Sequence, residues 1–189
     1  LPHLAEAKRE LEEHGHGTKH YSITTIYTTD ANGVENIRED TTWHDYYQEE
    51  VDAIESLITE LKKLAPLSIL QPDAGIYKAA QKHARDERQH KWELGHRGSD
   101  GSWPQERIRK FAPHMTAGNE NLAGMGNGLE ELAVSPREIV IILLIDSGIP
   151  GYGHRKNMLN PKWTHVATCY GGWAQQMHHW VQEFGSISE

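Results

Sequence analysis

Ser135-Pro136-Arg137-Glu138-Ile139-Val140-Ile141-Ile142-Leu143-Leu144-Ile145-Asp146-Ser147-Gly148-Ile149-Pro150-Gly151-Tyr152-Gly153-His154-Arg155-Lys156-Asn157-Met158-Leu159-Asn160 holds a helix start, a helix stop and a polar loop in one run. Ser135 with Glu138 is a capping box, and Pro136 takes the first helical position, where no N–H is needed. The apolar run 139–145 falls far short of the roughly 20 residues that cross a bilayer and reads as a core helix. Asp146-Ser147-Gly148 ends it. Beyond the loop the chain alternates as strands do, over 164–170 and again over about 177–184, with Gly171-Gly172 as a turn region between them. Upstream the period is helical. Val51, Ile54, Ile58 and Leu61 mark one amphipathic helix ended near Pro66. Ile76, Ala79, Ala80, His83, Ala84 and Glu87 form the stripe of a second that starts around Asp73. Residues 105–111 suit a short third helix, and the Gly- and Asn-rich stretch 112–134 reads mostly as loop. Helices precede and strands follow, with no βαβ rhythm, so the class is α+β.

Residues 1–46 have a different texture and read as an N-terminal extension to a domain spanning 47–189. Tyr21 to Thr29 is rich in β-branched and aromatic residues, Asn32-Gly33 is a turn signal, and 34–37 suits a second short strand: a hairpin. The 189 residues carry 27 acidic and 19 basic side chains, a formal charge of -8. Such a surface repels a phosphate backbone, and no Lys/Arg cluster offsets it, which excludes nucleic acid as the expected partner. The 13 histidines add positive charge below about pH 6.5. Cys169 is the only cysteine, so no intramolecular disulfide forms. The chain opens at Leu1 rather than Met, which fits removal of a preceding segment.

Three segments set titratable groups beside glycines, which allow tight turns and close backbone approach. They are Glu93-Leu94-Gly95-His96-Arg97-Gly98-Ser99-Asp100-Gly101-Ser102, then Gly118-Asn119-Glu120-Asn121-Leu122-Ala123, then the loop from Asp146 to Asn160 quoted above. In this order they resemble the CAP superfamily of cysteine-rich secretory proteins, antigen 5 and plant pathogenesis-related proteins, the bacterial SCP-like extracellular branch above all. The stretches LGHRGSDGS, NENLA and GHRKNMLNP look like its signatures, and WVQEF (180–184) looks like its last strand. The resemblance covers about residues 47–185.

It implies a three-layer α-β-α sandwich around a mainly antiparallel sheet, with two histidines and two acids lining a central cleft that can hold a divalent metal. Carried over by motif, these are His96, Glu120, Asp146 and His154. Asp146 is one methylene shorter than the Glu common in animal and plant members. Asp146 also stands at a helix C-terminus, where the macrodipole disfavours an anion, so it calls for a compensating cation, donor or metal. His96 and His154 are the expected metal ligands, for zinc first, with water completing the shell. The carboxylates would orient the imidazoles. Two imidazoles make a thin site, hence exchangeable binding.

Blander readings stand beside these. Glu120 could equally cap backbone amides in an Asn/Gly loop. His83 on its apolar stripe reads as a hydrogen-bonded core histidine. His83, Glu87 and His90 share a helical face and could imitate a metal site. The segment 90–96 is not HExxH, so a zincin is excluded. Cys169 in a strand reads as a buried small side chain, and Ser99 and Ser102 lack a nucleophile elbow.

The resemblance admits roles from sterol or lipid binding to defence, with protease activity proposed for a few members. The expectation is a non-enzymatic extracellular or envelope binding domain with a metal-capable cleft, for a peptide, lipid or glycan ligand. The alternative is a metal-assisted hydrolase, with Glu120 or Asp146 activating a metal-bound water. A third reading makes the N-terminal hairpin the surface that pairs with a partner or second copy.

Overall fold

The computed structural model describes residues 4, 5, 8, 9, 19–29, 35–93, 95–125, 135–174 and 177–187, with side chains only outside 19–47. The chain divides into two compact units, Leu1–Leu64 with Ile145–Tyr152, and Ala65–Leu144 with Gly153–Glu189.

In the first unit the expected hairpin forms from β1 (Lys19–Thr29) and β2 (Glu35–Asp45), paired antiparallel from Lys19↔Asp45 to Thr29↔Glu35. Its second strand runs eight residues past the expected end at 37. The Asn32-Gly33 turn lies outside the described residues. Helix α1 (Tyr46–Lys63) follows. Its buried positions are Val51, Ala53, Ile54 and Leu57. Ile58 and Leu61, expected on the same stripe, are only half-buried. The apolar face is therefore rotated toward Leu57.

The second unit is built on a four-stranded mixed sheet, order β3-β5-β6-β4. Its strands are β3 (Gln71–Pro72), β4 (Ala117–Met125), β5 (His165–Ala174) and β6 (Met177–Ser186). Only the β3–β5 pair is parallel. Helix α2 (Ala74–Gln89) starts where Asp73 accepts the Ile76 N–H at 2.8 Å. Every residue of its expected stripe is buried: Ile76, Ala79, Ala80, His83, Ala84 and Glu87. Losing the cap in Asp73→Ala is expected to cost about 1 kcal/mol, read as a lower urea midpoint with an unchanged slope.

Strand alternation divides the core in two. Leu122, Val181 and Cys169 face α2 and pack on Ala80 and Ala84. Ile108, on α3 (Pro104–Phe111), packs with Ile76, Ala79, Ala112 and Met115 on that same side. Ala123 and Trp180 point the other way, against Ile139 and Leu143 of α4 (Pro136–Ile145) and Met158 of α5 (Gly153–Met158). Helices thus cover both faces, the α-β-α layering expected. The α4 capping box is present: Ser135 N–H reaches Glu138 Oε2 at 2.6 Å, and Glu138 N–H reaches Ser135 Oγ at 3.2 Å.

Two segments correct the sequence reading. Residues 117–125 are a strand, not loop. Their Gly and Asn content argues against a strand, but nine consecutive residues pair with β6, and a Cβ on Gly118 would crowd Ile108 and the Phe184 carbonyl, the latter at 3.1 Å. Tertiary pairing overrides propensity. The second correction is Gly171-Gly172, which is a bulge inside β5 rather than a turn. Gly172 takes φ +104°, and a Cβ on Gly171 would meet the Trp92 indole at 2.0 Å. Both glycines serve close approach and a kink.

Candidate functional site

Residue Glu120 lies on the α2/α3 face of β4 and is buried. Its Oε1 accepts the His96 Nδ1–H at 2.9 Å, and its Oε2 accepts Arg107 Nη2 at 2.7 Å. The carboxylate accepts only, so the His96 proton sits on Nδ1 and leaves Nε2 for a ligand. The His96 side chain is 46% exposed, so that nitrogen belongs to a ring solvent can reach. Burial pushes the Glu120 pKa up, but the His96 hydrogen bond and the Arg107 charge outweigh it and hold the carboxyl below its ordinary range.

The side chain of Arg107, on α3, is itself buried. Its Nη1 donates to the carbonyls of His96, at 3.1 Å, and Ser102, at 2.8 Å. One guanidinium therefore ties the 96–102 loop to β4, a use of its rigid fork of donors. The loop is further anchored on Asp86, which accepts Ser99 N–H at 2.8 Å and Ser99 Oγ–H at 2.5 Å. The Ser102 hydroxyl donates to Asp100 at 2.5 Å. These serines hold the loop, their hydroxyls bound to carboxylates whose pKa is held below the ordinary range.

Residue His83 is a buried core histidine whose Nε2–H donates to the Gly95 carbonyl at 2.9 Å. Burial, then the Arg107 charge, lowers its pKa despite the nearby carboxylate of Glu120, so it stays neutral. His90 Nδ1 instead bonds the Asp86 carbonyl oxygen at 2.8 Å. The imitation metal face of His83, Glu87 and His90 does not converge, and the described residues contain no group of three or more His, Cys, Asp or Glu placed to hold a metal. Cys169 is buried as a small core side chain, and burial raises its thiol pKa.

Of the four residues expected to line a cleft, the structure brings His96 and Glu120 into direct contact. His154 begins α5, half-buried, and its carbonyl accepts Asn121 Nδ2 at 3.3 Å. Asn121 is the residue after Glu120 and points to the opposite face of β4. Its amide also donates to Gln182 Oε1 at 3.1 Å and accepts Asn157 Nδ2 at 2.9 Å. Asp146 belongs to the first unit, where it is buried at φ +57°, a left-handed conformation that ends the helix. The amide-capping reading of Glu120 is corrected: its oxygens serve two side chains from other elements.

For a divalent metal, His96 fits. A carboxylate on the Nδ1–H that frees Nε2 is the arrangement that orients a metal-binding imidazole and raises its basicity. A metal there would supply Lewis acidity and an exchangeable water position.

Sequence reasoning missed Arg107 and Glu183. Arg107 sits among charged residues of a short helix and gave no signal. Glu183 did give one: an acid two residues from Val181, on the inward face of a strand.

A cavity of about 270 Å³ opens on the other side of the sheet, lined among others by Ile139, Val140, Leu143, Tyr170, Trp180 and Gln182 and, among the described residues, by no charged side chain. No helix among the described residues is long and apolar enough to cross a membrane.

Residues 36–184 match the profile of the cysteine-rich secretory protein family, CAP. Among solved structures the chain is similar to an outer surface protein from Borrelia burgdorferi, at 20% identity and a TM-score of 0.52, covering 75% of this chain and 95% of that one. It is also similar to an extracellular protein containing an SCP domain from Bacillus anthracis, at 17% identity and a TM-score of 0.48, covering 78% of this chain and 46% of that one. No curated protein matches.

Proposed function

Because this chain belongs to the cysteine-rich secretory protein (CAP) family, we propose that it is an extracellular or envelope binding domain whose His96/Glu120 cleft takes a divalent metal without catalysing a reaction. The observation that carries this reading is the state of Glu120. A general base working near neutral pH needs a pKa close to the operating pH. Glu120 is instead held ionised, with one oxygen on His96 and the other on Arg107. Such a carboxylate orients an imidazole. It is a poor base.

The metal of this proposal is zinc, held by His96 and His154 with water in the remaining positions. The ligand is a peptide, lipid or glycan. The cavity against α4, whose described lining is mostly apolar, favours one with a neutral hydrocarbon portion. Extracellular placement is supported by the family and by the outer-surface description of the Borrelia relative.

Zinc titration by calorimetry near pH 7.5, on wild type and the His96→Ala/His154→Ala double variant, tests the metal half. The expected result is one equivalent bound by wild type and none by the variant. Binding that survives the substitutions would assign the zinc to surface histidines and remove the cleft from the proposal. Zinc-stimulated turnover of a peptide and ester panel, lost in His154→Ala, would replace it with the hydrolase reading.

A further inference from the structure

Glu183 lies on β6, beside the site. It is wholly buried and stands directly opposite Glu120 across the β4–β6 pair. Directly opposed residues share a face of the sheet, and two like charges so placed repel. Arg107 does not serve the two equally. It makes a 2.7 Å hydrogen bond to Glu120, while its Nε stays 3.6 Å from Glu183 Oε1. Among the described residues neither Glu183 oxygen accepts a hydrogen bond and Arg107 Nε donates none, so the two meet at ion-pair distance only. A buried carboxylate without donors is strongly disfavoured, and the ordinary response is to take up a proton.

We propose that Glu183 serves the site as a neutral carboxylic acid that donates its proton to Glu120, so that Glu120, Glu183 and Arg107 form a unit of one anion and one cation that positions His96. This role rests on the reading of His96 as the cleft's ligand residue. The groups around Glu183 support it. From β4 comes the ionised Glu120, and from α3 comes Arg107. On α2, His83 Nε2 lies 3.7 Å from both Glu120 Oε1 and Glu87 Oε1. The residue opposite on β5 is Ala167, which brings no charge. Burial first, and the charge of Glu120 second, raise the Glu183 pKa well above the ordinary value, against the smaller pull of Arg107.

The positioning consequence follows from Arg107. Its other nitrogen holds the carbonyls of His96 and Ser102. An ionised Glu183 would compete with Glu120 for the guanidinium and draw it off those carbonyls. A protonated Glu183 adds a donor to Glu120 and leaves Arg107 where it is.

The test needs no metal. Carboxyl carbon NMR of glutamate-labelled protein, with Glu183→Gln used to assign the missing signal, should find that resonance still at its protonated position at pH 7. A Glu183 signal that titrates with the exposed glutamates would overturn the proposal. Stability against pH gives the second readout. A carboxyl with a raised folded pKa contributes fully below its unfolded value, 4.5, and that contribution is lost as pH rises toward the folded one. The folding constant of wild type should fall tenfold for each unit separating the two values, and Glu183→Gln should lack that decline. The Nδ1–H resonance of His96 should persist in Glu183→Gln, which keeps a donor, and be displaced in Glu183→Leu, which has none. Equal His96 signals in both variants would reduce Glu183 to a packing residue. Since none of these readouts involves zinc, failure of metal binding and failure of the carboxyl pair are separable.

Discussion

The variant Arg107→Met should lose about 3–5 kcal/mol of stability, the cost of leaving a buried charge without its partner. Methionine keeps much of the volume, so the loss measures charge and hydrogen bonding more than cavity. Three acceptors are abandoned together: Glu120 Oε2 and the carbonyls of His96 and Ser102. The electrostatic part can be separated by pH. In the variant, Glu120 has lost its main cation, so its pKa should rise, and acidification through that new value should neutralise it and shrink the deficit. The double variant Arg107→Met/Glu120→Gln should recover part of the loss at neutral pH for the same reason. Urea unfolding at pH 5 and pH 8 checks both. A deficit that stays equal at the two pH values, with no recovery in the double variant, would mean that Arg107 acts through packing alone.

The second large effect is expected at Gly75→Ala. The site is in the first turn of α2, where alanine improves helix propensity by less than about 1 kcal/mol. A Cβ there would lie 2.4 Å from the Phe111 carbonyl oxygen and 2.8 Å from Ala112 Cβ. The first of these is backbone, at the end of α3, and cannot swing aside as a flexible side chain can. Overpacking against such a wall costs about 3 kcal/mol, so a net loss of about 2 kcal/mol is expected. The same experiment reads it: a lower urea midpoint, with the His96 resonances disturbed as α3 shifts and carries Arg107 with it. A stabilised Gly75→Ala would show that α2 and α3 can separate freely.

Much of this architecture is legible in the residues, and the reason is locality. The α2 stripe and the α4 capping box each depend on neighbours within a turn or two, and both appear as read. Strand β4 depends on pairing with β6, about 60 residues away, and its Gly/Asn composition carries no local mark of that partner. Gly171-Gly172 marks a departure from regular strand, yet that it is a bulge with Gly171 against the Trp92 indole shows only in the assembled fold. The site divides along the same line. His96 and Glu120 were found through motifs that flank them. Arg107 and Glu183 act on Glu120 from other elements, where only the assembled sheet shows what they face.

The strand order has a consequence for synthesis. β6 lies between β5 and β4 and is buried along nearly its whole length. A nascent chain that stops short of Met177 therefore holds β3 and β5 in one piece and β4 in another, with no strand to join them. Glu120 waits with half its pair missing, and its neighbours Leu122 and Ala123 lack Val181 and Trp180. Non-local pairing of this kind is slow to close and exposes sticky edges until it does. β6 is the keystone of this sheet, so its closure waits on that strand rather than on the helices.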